Sequence, residues 1–212
     1  EYQELFSRSV GEDTDIVSKE MYSFVDKGDT TICLRPEATS SLARFAASNY
    51  QSGQMKLSTH GPMFRRERPQ KGRYRQFHQI NIENIGEKSS YIDFEIILIA
   101  STILKELGLE VNQYKLLINS LGSLEDQINY SKILNGYLNQ YKKNLSETSI
   151  TRLERNPLRI LDSKDESDKE ILLNAPKINE YLSKESQNFF NDIKLMLADN
   201  NILFKEDEKL VR

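Results

Sequence analysis

The sequence predicts a mixed α+β fold in which an antiparallel sheet is flanked by helices and a small all-helical segment is inserted. Runs of β-forming residues on either side of Lys27, Gly28 and Asp29 indicate a hairpin, because Lys-Gly-Asp favours a turn. The largely apolar residues 89–107 are typical of a long helix. From Leu124 onward, Asn, Lys, Glu, Ser and Leu predominate and apolar residues recur at helical spacing, which predicts the helical segment.

The other elements follow from caps and breakers along the chain. Pro36 favours a helix in EATSSLARFAASNY, in whose first turn it would lie. The stretches MKLST and PMFRRE predict one extended region and YRQFHQINIENIG a second, joined by a turn at PQKGR. Ser89 or Ser90 would cap the long helix and Gly108 would end it, before YKLLINSLGS forms a strand. The last residues, ILFKEDEKLVR, are extended again and would return to the sheet.

Composition narrows the functional classes. The net charge of −3 argues against a protein that coats nucleic acid through an overall basic surface. The single cysteine, Cys33, cannot form an internal disulfide and is predicted to be buried on a strand, and only His60 and His78 accompany it, so no zinc site is expected. No apolar run approaches the ~20 residues of a membrane span. We therefore expect a cytoplasmic protein without a membrane partner.

A local excess of positive charge interrupts this acidic chain at residues 65–75, within GPMFRRERPQKGRYRQFHQINIE. If residues 73–84 form a strand, alternate side chains share a face. The odd-numbered face carries Arg73, Arg75, Phe77, Gln79, Asn81 and Glu83. The even-numbered face becomes apolar at Ile80 and Ile82. The odd-numbered face could simply lie in solvent, as one face of an antiparallel sheet often does.

The neighbouring strand favours a binding function for that face. Arg65 and Glu67 are also odd-numbered, so they would lie on the same polar face if the two strands pair directly across the PQKGR turn. Guanidinium groups match phosphate oxygens and an aromatic ring can stack on adenine, so the pattern predicts an ATP site. Glu67 would hold a base amine or position an arginine, while Gln79 and Glu83 would take a smaller polar substrate. The basic turn RPQKG either contacts a nucleic acid terminus or is merely an exposed turn.

Several stretches, in order, resemble one family. GPMFRRERPQKGRYRQFHQINIE resembles motif 2 of class II aminoacyl-tRNA synthetases, in the form it takes in the histidyl-tRNA synthetase family. LRPEATSS, NSLGS, NPLRILDSK and KLVR resemble that family's histidine-binding segment, the strand after its long helix, part of its helical insertion and the start of its LVRGLDYY signature. Ala38 stands where the family usually has glycine.

The resemblance implies a class II synthetase-type antiparallel sheet flanked by helices, with a small all-helical insertion. The chain would be the central part of the catalytic domain, because motif 1, motif 3 and the anticodon-binding domain are expected outside it. We predict three parts: residues 1–123 from the catalytic core including motif 2, residues 124–202 as the helical insertion, and residues 203–212 as the start of the returning core strand.

The resemblance also implies an activity, namely ATP-dependent activation of L-histidine and its transfer to histidine tRNA, with ATP and Mg²⁺ and in a homodimer. The implied catalytic residues are Arg65 and Arg212. The implied ATP-binding residues are Arg65, Glu67, Arg73 and Phe77. The implied histidine-binding residues are Glu37, Thr39, Arg65, Gln79, Glu83 and Arg212. Arg68 and Gln70 would contact the tRNA acceptor end, and no protein ligand is assigned to the metal.

Other interpretations stay open at this point. Glu37 could merely stabilise a helix N-terminus through the helix dipole. His78, on the opposite face from Phe77, is expected to be packed or hydrogen-bonded rather than catalytic. Two other functions compete with the synthetase: a synthetase-like regulatory subunit of ATP phosphoribosyltransferase, and a non-catalytic binding fragment. We expect the chain alone to be inactive even if the synthetase interpretation is right.

Overall fold

The computed structural model describes residues 1–11 and 14–211, and the chain divides into two compact units, Glu1–Lys88 and the part that begins at Ser89. Helices and short two-stranded sheets alternate in the described residues, which confirms the predicted mixed fold class. None of the helices in residues 1–11 and 14–211 is both long and apolar enough to cross a membrane.

The described residues of the first unit form two α-helices and two β-hairpins. Its elements are α1 (Gln3–Val10), a π-helical turn (Ile16–Glu20), β1 (Ser23–Val25), β2 (Thr31–Cys33), α2 (Thr39–Asn49), β3 (Met55–Phe64) and β4 (Gln76–Ile85). The β1–β2 hairpin is antiparallel, as predicted. Its turn is stabilised by the Asp26 carboxylate, which accepts hydrogen bonds from the backbone N–H groups of Gly28 (2.8 Å) and Thr30 (3.1 Å). Cys33 is buried on β2, as predicted.

Helix α2 begins later than expected. Its first residue is Thr39, so Pro36 precedes the helix instead of lying in its first turn. The reason is a side-chain cap: the Glu37 carboxylate accepts a hydrogen bond from the backbone N–H of Ser40 at 3.0 Å. A carboxylate at a helix start satisfies an otherwise unpaired N–H group and interacts favourably with the helix dipole.

The β3–β4 hairpin is a ribbon of ten antiparallel residue pairs, from Met55 opposite Ile85 to Phe64 opposite Gln76. Residues directly opposite each other share a face. The site face, as we call it, carries positions 57, 59, 61 and 63 of β3 and positions 77, 79, 81 and 83 of β4. Its side chains are buried or half-buried, whereas Ile80 on the other face is 62% exposed. The odd-numbered face therefore does not simply lie in solvent.

The predicted strand 73–84 is corrected at its start, because β4 begins only at Gln76. Arg73 closes a tight turn instead: its backbone N–H donates to the Gln70 carbonyl at 2.9 Å, and Gln70 donates back at 3.3 Å. Gly72 supplies the positive φ of +80° that this turn requires. Arg73 is consequently a residue of the hairpin turn, and strand alternation does not determine the direction of its side chain.

The second unit has helices and one parallel pair of strands. It comprises α3 (Ser90–Glu106), β5 (Leu116–Ile118), α4 (Leu124–Gln140), α5 (Glu147–Arg155), α6 (Glu166–Leu172), α7 (Lys184–Asp199) and β6 (Phe204–Glu206). As predicted, Ser89 caps α3 and accepts from the Tyr91 N–H at 3.3 Å, and Gly108, with φ +80°, follows the helix end. The strands β5 and β6 are parallel, not antiparallel, because the long helical connection allows the chain to cross over.

Two hydrophobic clusters form inside this unit. One is built by α4, α5 and the turns that follow, and its fully buried members include Leu134, Leu138 and Ile160. The other joins α3 and α7 to the β5–β6 pair through Phe94, Ile118, Phe190, Ile193, Leu197 and Ile202. Helix α7 thus packs with α3 and the strands. The part boundaries at residues 123/124 and 202/203 remain a prediction.

Two buried carboxylates join the helices of this unit. In the Asp168 cluster, Asp168 of α6 accepts hydrogen bonds from the Ser146 N–H (2.9 Å) and from the hydroxyls of Ser146 (2.8 Å), Ser149 (2.6 Å) and Ser163 (2.6 Å). Burial by itself would raise the pKa of Asp168, but these hydrogen bonds outweigh it and leave the pKa below its ordinary value. Since Ser146 caps α5, the carboxylate links the starts of α5 and α6.

The Asp126 cluster repeats this arrangement between α4 and α7. Asp126 accepts from the N–H groups of Ser123 and Ser183, both at 2.9 Å, and from the hydroxyls of Ser183 (3.1 Å) and Ser186 (2.5 Å). The Ser186 hydroxyl contributes most to lowering the pKa of Asp126, and burial opposes it. Ser123 caps α4 and Ser183 caps α7, so one carboxylate stabilises the N-termini of two helices.

Candidate active site

Arg65 is held at the end of the site face by two contacts. Its Nε donates to the Pro36 carbonyl at 2.9 Å, and its guanidinium carbon lies 5.3 Å from the centre of the Phe77 ring. Both distances are typical of a hydrogen bond and of a cation–π contact. Only one of the five guanidinium N–H groups is used by Pro36, so the terminal amino groups remain available to an anionic ligand.

Arg73 and Glu67 form an ion pair beside this arginine. Arg73 Nη1 lies 3.2 Å from Glu67 Oε2, and Arg75 Nε donates to the Glu67 carbonyl at 3.3 Å. Glu67 is mostly covered, whereas Arg73 is 63% exposed. The pair holds the hairpin turn against the strand, and the exposed guanidinium can reach a ligand outside it.

Glu20 belongs to the same group of charges, although sequence reasoning missed it. Burial raises the pKa of Glu20 and the Glu67 carboxylate raises it further, while Arg65 and Arg73 lower it. The Glu20 carbonyl also accepts the Arg66 backbone N–H at 2.6 Å. Glu20 lies far from motif 2 in the sequence, so no local pattern signals this proximity.

A chain of hydrogen bonds crosses from α2 to β4. Asn81 Nδ2 donates to the Thr39 hydroxyl at 3.2 Å, and Thr39 donates to Glu83 Oε1 at 2.7 Å. The two predicted histidine-binding residues Thr39 and Glu83 are therefore in direct contact. Asn81 was not predicted as a site residue, although the alternation that selected Gln79 and Glu83 also places it on the site face.

Glu37 is buried and firmly bound. Its carboxylate accepts from both the N–H and the hydroxyl of Ser40, and Ser40 accepts in turn from the Ser9 hydroxyl at 2.6 Å. Glu37 thus stabilises the N-terminus of α2, as the alternative interpretation of the sequence predicts. With 9% of its surface exposed, Glu37 still reaches the surface of the unit. Its predicted contact with an amino group remains a prediction.

The middle of the site face combines open space with unpaired acceptors. Gln79 Oε1 and Asn81 Oδ1 are buried and have no hydrogen-bond partner among residues 1–11 and 14–211. Gly61 lies opposite Gln79, and a Cβ added there would meet nothing within 4 Å. Buried polar atoms are nearly always paired in folded proteins. The gap over Gly61, next to two unsatisfied oxygens, is therefore suited to a ligand that carries N–H groups.

The other residues named from the sequence lie in the hairpin turn, on the opposite face or outside the described residues. Arg68 and Gln70 are exposed in the hairpin turn. Arg212 lies outside the described residues. His78 is exposed on the face opposite the site face, so the expectation that it is packed is wrong. The structure thus places Phe77, Gln79 and Glu83 on one face, with Thr39 bound to Glu83 and Arg65 beside Phe77. Arg73 pairs with Glu67 in the hairpin turn, and Glu37 is bound to Ser40 at the start of α2.

Comparison with known proteins gives consistent results. A family model described as histidyl-tRNA synthetase matches residues 1–195. A histidine–tRNA ligase from Wolbachia pipientis is 47% identical over 212 residues, which is 100% of this chain and 52% of that protein. A chloroplastic histidine–tRNA ligase from Gracilaria tenuistipitata is 50% identical over 210 residues, covering 98% of this chain and 50% of that protein. The chain thus spans about half the length of these curated relatives.

Solved structures show the same likeness. The structure of apo histidyl-tRNA synthetase from S. aureus has a TM-score of 0.76 and 30% identity, and covers 100% of this chain and 47% of that chain. A Bacillus halodurans protein described as an ATP phosphoribosyltransferase regulatory subunit/histidyl-tRNA synthetase has a TM-score of 0.61 at 20% identity, over 99% of this chain and 57% of that chain. The second match concerns the fold alone.

Proposed function

This chain belongs to the histidyl-tRNA synthetase family, and we propose that it supplies the ATP- and histidine-binding face of a histidine–tRNA ligase. The observation that carries the proposal is the composition of the site face. A fixed guanidinium, Arg65, lies at one end beside an aromatic ring, and a carboxylate, Glu83, lies at the other end beyond unpaired acceptors. This order suits a ligand with phosphates at one end and N–H groups at the other.

The proposed reaction has two steps. The histidine carboxylate attacks the α-phosphorus of ATP and pyrophosphate leaves, which gives histidyl adenylate. A hydroxyl of the terminal tRNA ribose then attacks the activated carbonyl, and AMP leaves. Chemistry of this kind depends mainly on positioning the reactants and stabilising charge.

Arg65 would act on the first step. We propose that its terminal amino groups bind the α-phosphate and the substrate carboxylate, where negative charge grows in the transition state. Arg73 would bind the γ-phosphate, since its exposed guanidinium can leave Glu67 for a stronger anion. Phe77 would stack on adenine. The contact with Arg65 supports this role because it fixes the ring beside the phosphate-binding group.

The other end of the face would select the amino acid. Glu37, Thr39 and Gln79 would accept hydrogen bonds from the cationic α-amino group, and Glu83 would accept one from the imidazole. An apolar amino acid would leave the Glu83 carboxylate without its imidazole partner, which can reduce the use of that amino acid ~10⁴-fold or more. Arg212, matched to a second family arginine, keeps only its sequence-based assignment.

Magnesium would enter with ATP. The described residues hold no group of three or more His, Cys, Asp or Glu side chains that could bind a metal alone. Mg²⁺ typically binds one or two carboxylates together with substrate phosphates, and Glu67 and Glu20 are the carboxylates beside the proposed phosphate-binding arginines. When bound, Mg²⁺ would neutralise phosphate charge.

We also propose histidine tRNA as a partner, whose acceptor end would contact Arg68 and Gln70 in the hairpin turn, and a homodimer in the cytoplasm. The support is the family membership together with the exposed basic turn. The likeness to an ATP phosphoribosyltransferase regulatory subunit, at 20% identity, does not favour that alternative.

The test is histidine-dependent exchange of pyrophosphate into ATP by the complete product of the gene. We expect exchange by the unmodified protein and a loss of at least ~100-fold in Arg65→Ala, by comparison with loss of a preorganised anion-binding donor. Arg66→Ala is the matched control, because it removes an adjacent, exposed arginine. Exchange that does not depend on histidine, or equal losses in the two variants, would contradict the proposal.

A second assay separates the tRNA contact from adenylate formation. Arg68→Ala is expected to keep pyrophosphate exchange and to slow histidine transfer to tRNA, because residue 68 lies in the exposed turn away from the acceptor oxygens of the site face. An Arg68→Ala protein that is defective in exchange would refute this assignment.

A further inference from the structure

We propose that Asn81 is a positioning residue for histidine selection, acting through Thr39 on the Glu83 carboxylate and offering its own carbonyl oxygen to the bound amino acid. This rests on the proposed function of the site face. It assigns a role to a residue that the resemblance does not include among the histidine-binding positions.

The hydrogen of the Thr39 hydroxyl is held in one direction by its two neighbours. A hydroxyl has one donor and two acceptor positions. The donor is used on Glu83 Oε1 at 2.7 Å, and one acceptor position is taken by Asn81 Nδ2 at 3.2 Å. Asn81 presents a donor to Thr39, so the hydroxyl hydrogen cannot point toward Asn81 and is directed to Glu83.

This direction fixes the carboxylate. With Oε1 engaged by Thr39, the Glu83 side chain is held by α2, an element other than its own strand. Oε2 is then the oxygen left for a ligand N–H. Without Asn81, the Thr39 hydroxyl could rotate and the carboxylate would lose its fixed orientation. A site group that is held in place before binding loses less side-chain freedom when the ligand arrives.

The carbonyl oxygen of the Asn81 amide is the atom left for a ligand N–H group. Asn81 Oδ1 and Gln79 Oε1 are both buried, and neither has a hydrogen-bond partner within the described part of the chain. Residues 79, 81 and 83 follow one another on a single face, ~6.7 Å apart along the strand. Asn81 therefore lies between the positions proposed for the amino group and for the imidazole. An amino acid bound there brings N–H groups to acceptors that otherwise stay unsatisfied.

The experiment measures KM for L-histidine and for ATP in pyrophosphate exchange by the complete gene product, with L-histidine binding by calorimetry as a second readout. Asn81→Ala is expected to raise the histidine KM about 5- to 10-fold, the size of one neutral hydrogen bond. The KM for ATP should stay within about 2-fold. Asn84→Ala is the matched control, since Asn84 lies on the opposite face of the same strand; its histidine KM is expected to stay within about 2-fold.

A double-mutant cycle with Thr39→Val tests the route of the effect. If Asn81 acts in part through the Thr39 hydroxyl, Asn81→Ala should raise the histidine KM by a smaller factor in the Thr39→Val background than in the unmodified protein, because coupled residues are not additive; the factor that remains measures the direct contact of the Asn81 carbonyl oxygen. Full additivity would overturn the positioning role, as would an Asn81→Ala protein that resembles Asn84→Ala or loses histidine and ATP affinity equally. An unmodified protein that binds no histidine would instead refute the proposed function itself, and this inference with it.

Discussion

Replacing Asp168 by Asn tests how strongly a single buried carboxylate holds the helices of the second unit together. The substitution keeps the shape of the side chain and removes its charge. Asp168 is fully buried and accepts four hydrogen bonds, one from a backbone N–H and three from serine hydroxyls. An amide has one acceptor oxygen and two donor hydrogens, so it cannot satisfy all four donors at once.

The size of the effect follows from these four bonds. A hydrogen bond to a charged group contributes ~1.5–3 kcal/mol, against ~1 kcal/mol for a neutral one. The backbone N–H of Ser146 cannot rotate, so the amide oxygen should turn toward it and leave the NH₂ group facing the hydroxyls. The difference is at least ~0.5 kcal/mol for each of the four bonds, so we expect Asp168→Asn to lower the free energy of unfolding by at least about 2 kcal/mol.

The assay is urea unfolding of the chain at pH 7, followed by circular dichroism. Asp192→Asn is the matched control, because Asp192 is exposed on α7 and should change stability by less than about 0.5 kcal/mol. A difference of less than about 1 kcal/mol between the two variants would show that the Asp168 cluster does not stabilise the unit as argued.

Three further outcomes are expected from contacts described above. Hydrogen bonding lowers the pKa of both Asp126 and Asp168, so the stabilisation they provide is present above the unfolded-state pKa of ~3.9 and is lost as the pH falls further. The free energy of unfolding should therefore decrease once the pH is below about 4, and a flat pH profile would refute this. Gly122→Ala should destabilise the protein by more than about 1 kcal/mol in thermal unfolding, because φ at this position is +69° and the new Cβ would lie 2.5 Å from Asp126 Oδ2. Gly136→Ala is the control and should not destabilise the protein, because Gly136 lies in a helix with open space around it. Glu83→Gln should weaken L-histidine binding in calorimetry and leave ATP binding nearly unchanged; equal losses for both ligands would count against its role at the imidazole.

The elements that sequence could predict are those set by short-range chemistry. The hairpin around Lys27–Asp29 and the cap at Ser89 depend on residues within a few positions, and the ribbon face depends on strict alternation. The start of β4 was misjudged because a tight turn that closes at Arg73 overrides alternation there. Glu20 was missed because it reaches the arginines only through tertiary folding, and no residue near it in sequence signals that contact.

The candidate site shows the same division between local and distant contacts. Gln79 and Glu83 were selected by alternation and resemblance, and both lie on the site face. The link from Asn81 through Thr39 to Glu83 joins residues more than 40 positions apart, so only the packing of α2 against β4 reveals it. A list of site residues taken from a motif therefore omits the neighbours that hold those residues in place.

The Asp126 cluster also limits which substitutions the protein can tolerate. If one serine hydroxyl is lost, the carboxylate keeps three of its four donors, so Ser186 or Ser183 can be exchanged singly at a modest loss of stability. If the carboxylate is lost, all four donors lose their acceptor at once, and the starts of α4 and α7 lose the group that they share. In a randomised library selected for folding, more residue types should therefore be tolerated at each serine than at Asp126.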